Sequence, residues 1–177
     1  NSSHLFGFFS IFNGDAVKDV KIYKGGMPAQ YGGRLSSVLD IRQKDGNNQN
    51  FSGTGGIGLL STRFMLEGPI IKDKMSFMVA GRRSYQDVFF ALSSDPELQN
   101  TILYFYDFNA KINYTINERN KIYISGYYGR DLFGANDLFN FGWGNGTGTV
   151  RWNYLISPKL FLNTTLVYSD YTYNIGT

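Results

Sequence analysis

The sequence predicts an all-β chain, a transmembrane antiparallel β-barrel of which these residues supply the first seven strands. Three observations predict it. One strand is unusually long and two-faced, the composition is aromatic and poor in charge, and the connections alternate between short and long. From Tyr104 to Ile116 the side chains alternate without a slip. Tyr104, Phe108, Ile112 and their even-numbered companions make an apolar wall, and Asp107, Asn109, Lys111 and Asn113 make a wet one. A strand has a period of two, so the two walls are the two faces of a sheet. The segment would be about 40 Å long, roughly twice the usual globular strand. Such a strand spans a bilayer when tilted, apolar face to lipid and polar face to a lumen. Tyr104 and Tyr114 then stand about 25 Å apart along the membrane normal, roughly the height between the aromatic girdles of such a barrel. On this segment alone, a long strand of a soluble sandwich is the alternative.

Composition narrows the class. The chain has 177 residues, 18% charged and 17% aromatic, with 13 Tyr and 15 Phe. Few charges and many rings with a polar tip suit a surface at lipid headgroups. The 21 glycines against 4 prolines favour bent strands and tight turns over helices. Net charge is +3 with acids and bases interspersed, so no basic stripe points to nucleic acid. Without cysteine there is no disulfide framework and no thiolate metal site. Leu5–Phe12 is too short for a membrane helix. No charged leader or cleavage site opens the chain, so an exported protein would need one upstream.

The elements follow in order. Phe51 to Gly58 reads as a short strand. Arg63, Met65 and Glu67 oppose Phe64 and Leu66 in the next, which ends at a Gly68-Pro69 turn. Met75, Phe77 and Val79 oppose Ser76, Ala80 and Arg82. A long link runs from Gln86 to about Thr101, then comes the long strand and a turn at Asn117–Asn120. Ile122, Ile124 and Tyr128 oppose Tyr123, Ser125 and Tyr127. A Gly- and Asn-rich loop is expected from Arg130 to Gly146. Val150, Trp152 and Tyr154 oppose Arg151 and Asn153, and after Ser157-Pro158-Lys159 the last strand runs from Leu160. Short turns near 69–74, 117–120 and 157–159 alternate with long links at 86–101 and 130–146. Outer-membrane barrels sort their connections this way, with the long loops outside. An open seventh strand would expose an unpaired edge to hydrocarbon, so more strands are expected beyond Thr177.

Residues 1–50 lack this rhythm. Val17–Tyr23 and Ser37–Arg42 read as short strands around Gly25-Gly26 and Gly32-Gly33, pairs that ask for positive φ or close backbone approach. The run Val20-Lys21-Ile22-Tyr23-Lys24-Gly25-Gly26, followed by Pro28-Ala29-Gln30-Tyr31-Gly32-Gly33-Arg34-Leu35-Ser36-Ser37-Val38-Leu39-Asp40-Ile41, resembles the end of the plug domain of TonB-dependent outer-membrane receptors, in the variant found in Bacteroidota. The resemblance implies a division into 1–50, the C-terminal part of a luminal plug, and 51–177, the N-terminal strands of a barrel of about 22. It implies uptake of a nutrient ligand of unknown identity across the outer membrane of a Gram-negative bacterium. Energy would come from the TonB complex through a segment upstream of this chain. Outer-membrane lipid is the implied surroundings, and a surface lipoprotein or larger outer-membrane complex a further partner. A passive porin or structural barrel subunit is the alternative, but a porin has no use for residues 14–42.

Candidate site residues are few. His4 is the single histidine, so neither a His-based triad nor a histidine-rich metal site is expected, and no enzyme activity or cofactor. Gly25, Gly26, Tyr31, Gly32 and Gly33 form the expected plug turn. Arg34 follows it, where a charge is costly unless paired. Glu67, with Arg63 and Arg82, falls on the wet face of the nearest strands, and the Arg34–Glu67 pair is the expected plug–wall contact. Phe133, Phe139, Phe141 and Trp143, interleaved with Asn136, Asn140 and Asn145, are the expected external loop residues for a ligand or partner.

Overall fold

The computed structural model of the protein describes residues 3–4, 9–26, 28, 31, 37–135 and 139–176. Strands β1 (Ser3–His4) and β2 (Phe9–Ser10) pair with each other and lead to a 3-10 turn at Gly14–Ala16. Strands β3 (Val17–Tyr23) and β4 (Val38–Gln43) form a second two-stranded sheet. All other strands belong to one antiparallel sheet of seven, β5 (Ser52–Ile57), β6 (Ser61–Ile71), β7 (Met75–Ser84), β8 (Thr101–Asn117), β9 (Asn120–Ala135), β10 (Phe139–Ser157) and β11 (Leu160–Gly176). They lie side by side in chain order, a pure meander with β5 and β11 as its edges. Strands β8 to β11 run 17, 16, 19 and 17 residues, well past the roughly 9–11 that a tilted strand needs to cross a bilayer. Among the described residues no helix is long and apolar enough to cross a membrane.

Period-two patterning and short turns make a meander the simplest solution, because each strand pairs with the one it has just left. Asn117 closes the β8–β9 turn by accepting the amides of Arg119 and Asn120 on its side-chain oxygen. Between β6 and β7 the chain reverses at 72–74, with Asp73 in the left-handed region at φ 64°. Two short helices, α1 (Gln86–Ala91) and α2 (Pro96–Gln99), occupy the long link between β7 and β8.

Two expectations need correction. Gly68 and Pro69 are not a turn: they pair with Phe77 and Ser76 inside β6, and the register shifts only after Pro69. Proline is tolerated because the β5–β6 ladder ends at Ser52–Glu67, leaving one side of β6 without a partner beyond that point. The segment 130–146 is not a long loop either. Strands β9 and β10 continue pairing up to Ala135–Phe139. Gly142, Gly144, Gly146 and Gly148 lower strand propensity, yet each is matched in the ladders to both β9 and β11. Two-sided pairing outweighs a compositional signal worth about 1 kcal/mol per residue at most.

The two faces of the sheet are inverted relative to a soluble protein. On one face Ser76, Met78, Ala80, Ser84, Phe105, Asp107, Asn109 and Asp131 are buried. The opposite face leaves Phe64, Leu66, Phe108, Tyr114, Ile116, Ile124, Tyr128 and Trp152 exposed. Among the described residues of the first fifty, His4, Ser10, Asp15, Ala16, Gln43 and Asp45 contact the first face. Ala16 of the 3-10 turn packs on Met65, Met78 and Ala80, a small apolar patch in an otherwise polar seam.

Candidate functional site

Most of the ion pairs among the described residues lie in the seam between the polar face and the described part of the first fifty residues. At one end, β4 runs into the clip Gln43–Gly46. Gln43 Nε2 donates to Asn109 Oδ1 at 2.9 Å, and Lys111 Nζ donates to the Gln43 carbonyl at 3.3 Å and to Asp45 Oδ1 at 2.7 Å. The Asp45 carbonyl accepts from the Ser76 hydroxyl at 3.0 Å and from the Asn113 amide. Lys18 of β3 closes on Asp45 Oδ2 at 3.2 Å. Burial opposes the Asp45 carboxylate, but the hydrogen bonds and charges of Lys111 and Lys18 together outweigh it and hold its titration below the ordinary value. Gly46 follows at φ 81°, pressed so closely on the Phe77 carbonyl that a Cβ would run into it.

Further along, Arg63 Nε meets Asp15 Oδ2 at 3.0 Å. Arg82 bonds Asp107 Oδ2 through Nε and Nη2, both at 2.7 Å, and Nη2 also donates to the Ser10 carbonyl at 2.7 Å. These side chains alternate along β6, β7 and β8, so one face of three adjacent strands presents them all. A buried guanidinium–carboxylate pair of this kind is costly to break singly.

The expected site residues fall as follows. Gly32, Gly33 and Arg34 lie outside the described residues. Glu67 accepts from the Ser52 hydroxyl of β5 at 2.8 Å. Gly26 has the anticipated positive φ, 57°. Tyr31 donates its hydroxyl to Asp40 Oδ2 at 2.9 Å and lies 5.5 Å from the Tyr23 ring, tying the turn to β4 and β3. Gly25 precedes Gly26 in the bend after β3. Phe133, Phe139, Phe141 and Trp143 belong to strand ends, not to a loop. Phe133 meets Phe139 at 5.4 Å and Phe141 meets Trp143 at 5.0 Å and Tyr173 at 5.7 Å. Trp143 is buried, on the covered side.

Alternation places Arg63 and Arg82 on the wet face but does not reveal Asp15 as the partner of Arg63, Asp45 as that of Lys111, or His4 as that of Asp131. Alternation could identify the wall residues; the partners sit in irregular segments, where no period marks a face. Among the described residues no cluster of three or more His, Cys, Asp or Glu could hold a metal ion. The arrangement is suited to holding one segment against a wall by many moderate polar bonds. Comparison with protein-family models, with curated proteins and with solved structures finds no match.

Proposed function

We propose that this chain is part of a TonB-dependent outer-membrane receptor. Residues 1–50 would be the end of the plug, and the seven-stranded sheet would be the first part of the barrel wall. The observation that carries the reading is the inversion of the sheet. Its polar face is met by His4, Ser10, Asp15, Gln43 and Asp45 while an apolar face with Phe64, Leu66, Phe108 and Ile124 stays open. In water that leaves a large apolar surface unpaid for; in a bilayer it is the required outer surface. The unpaired edges of β5 and β11 fit the same reading, since further strands would close them.

In this role the plug fills the lumen, and a nutrient ligand binds on its outer side and the wall's upper end, near Phe133, Phe139, Phe141 and Trp143. The TonB complex pulls from the inner membrane through a segment upstream. The expected Arg34–Glu67 pair would add a plug–wall contact to the Arg63–Asp15 bridge. Moderate polar bonds to the wall suit a plug that must stay seated at rest and yield under force.

Planar-bilayer recording of the full-length protein tests this. The intact protein should be closed, and deletion of the plug through residue 50 should open a large conductance. A steady conductance with residues 1–50 in place would favour a passive porin. Ligand uptake that persists in a strain lacking TonB would remove the energised mechanism.

A further inference from the structure

On the open side of the sheet two arginines share one row. Arg83 of β7 pairs with Tyr106 of β8, and Tyr106 pairs with Arg130 of β9. Side chains paired across a ladder stand on one face, so both arginines share the side of Phe108 and Tyr128, their backbones about 10 Å apart across one intervening strand. Arg83 lies over the Tyr104 ring at 4.9 Å and donates through Nη2 to Asp87 Oδ2 of α1 at 2.9 Å. Its side chain is still 48% exposed. The stem of Arg130 runs beside Gly144 of β10, where a Cβ would meet its Cγ at 3.7 Å. Among the described residues Arg130 makes no hydrogen bond or ion pair. The Tyr106 and Tyr128 rings, 6.1 Å apart, are its neighbours on that face, one across the ladder and the other along β9.

A guanidinium on a face that is otherwise apolar and aromatic calls for an anion. On the hydrocarbon side of a barrel strand a cation is costly at the midplane and nearly free at the interfaces. The row therefore belongs at headgroup depth, and its place in the chain agrees. Arg83 is one residue from the end of β7, where the long link with α1 and α2 leaves the sheet. Tyr106 and Tyr114 stand on the same face of β8, about 20 Å apart along the membrane normal at a tilt of about 40°. Two carboxylates share this side. Asp87 is bonded to Arg83, and Asp170 of β11 lies two strands from Arg130, opposite Gly146, without an ion pair to it. At headgroup depth the abundant anion is phosphate, whose oxygens match the paired N–H donors of a guanidinium.

We propose that Arg83 and Arg130, with Tyr106 and Tyr128 alongside, bind the phosphorylated headgroup of an outer-leaflet lipid whose chains lie on the apolar face below. Arg130 is the principal ligand, because Arg83 is shared with Asp87. The two phenols supply hydroxyl donors at the same level, an apolar ring toward the chains and a polar tip toward the headgroup. The site rests on the outer-membrane reading and adds to it a specific lipid contact, one that the transport cycle itself does not require.

Lipid retention by the full-length protein in a neutral detergent tests the site. Dioleoylphosphatidic acid, dioleoylglycerol with the same chains, or inorganic phosphate is added, and bound lipid is counted by native mass spectrometry. Phosphatidic acid should be retained about tenfold better than dioleoylglycerol, the size of one charge-assisted bond. Arg130→Gln should remove most of that preference and Arg83→Gln a smaller part. Arg151→Gln, on the covered side of β10, should leave it unchanged. Inorganic phosphate in excess should not displace the lipid, which separates a headgroup site from one for the free ion. Equal retention of the two lipids, an Arg130→Gln protein that holds phosphatidic acid like its parent, or full displacement by phosphate would overturn the proposal. Insertion into phosphatidylcholine vesicles separates the two failures. A parent protein that inserts without a lipid preference removes this site alone, and one that does not insert removes the barrel reading with it.

Discussion

Lys111 reaches from the middle of β8 to Asp45, 2.7 Å from Nζ to Oδ1, and with the same ammonium holds the Gln43 carbonyl. One wall residue thus fixes both the backbone and the side chain of the clip that ends β4. Lys111 is 14% exposed in its side chain and Asp45 42%, so the bond is sheltered at one end and wet at the other. That asymmetry limits its strength to the range of partly screened pairs.

Replacing Lys111 by Met should therefore loosen the clip by about 1 kcal/mol. Hydrogen exchange in peptides covering Gln43–Asn50 should rise while exchange in β9 and β10 stays constant. An unchanged clip would mean that the Ser76 and Asn113 bonds to the Asp45 carbonyl are sufficient alone.

The Asp45 carboxyl titrates lower when folded than its ordinary 3.8, so the sign of its contribution is set. The stabilisation is fully present above that value and is lost as pH falls through the lowered folded one. Asp45→Asn should accordingly weaken the clip at neutral pH and make little difference in strong acid. A denaturation series of the parent and variant across pH checks this, because the difference between the two curves removes the other carboxylates. A gap that widens in acid would reverse the assignment.

Arg82 and Asp107 are an enclosed pair in the seam, 11% and 0% exposed in their side chains. Arg82→Met should cost about 3–5 kcal/mol by stranding the Asp107 charge. Adding Asp107→Asn to that variant should recover a large part of the loss. Recovery of nothing in reversible unfolding would show that the guanidinium's bond to the Ser10 carbonyl dominates.

Ala110 lies on the open face of β8, and Thr149 lies on the covered side of β10 at a similar height through the pairs Thr149–Ser125 and Lys111–Ser125. In a bilayer, Ala110→Arg should cost about 2–4 kcal/mol near the midplane and Thr149→Arg much less. Asn109, the immediate neighbour, is a poor control because Gln43 covers it. Equal costs in a bilayer refolding assay would remove lipid from the open face.

Gly46 tests the fit of clip and wall. Its φ of 81° and its contact with the Phe77 carbonyl leave no room for a side chain. Gly46→Ala should destabilise by about 1–3 kcal/mol through backbone strain, with added cost from the contact. Thermal unfolding measures it, and a neutral result would mean the clip can lift from β7.

By itself, the sequence determined the number, order and facing of the seven strands, because a two-residue period and short turns are local properties. Tyr104–Ile116 already sorted Phe108 from Asp107, and Val17–Tyr23 was legible as a strand to the residue. It could not determine how far β9 and β10 extend, since glycine-rich strands such as 142–148 exist only by virtue of pairing on both sides. Nor could it tell what covers the polar face. Asp45, Asp15 and His4 sit in short or irregular segments with no period of their own, and each meets its partner only across a long stretch of chain. Those meetings were decided by the tertiary structure, because buried charges on Arg82, Lys111 and Asp131 must be met by whichever polar groups the fold can bring within reach.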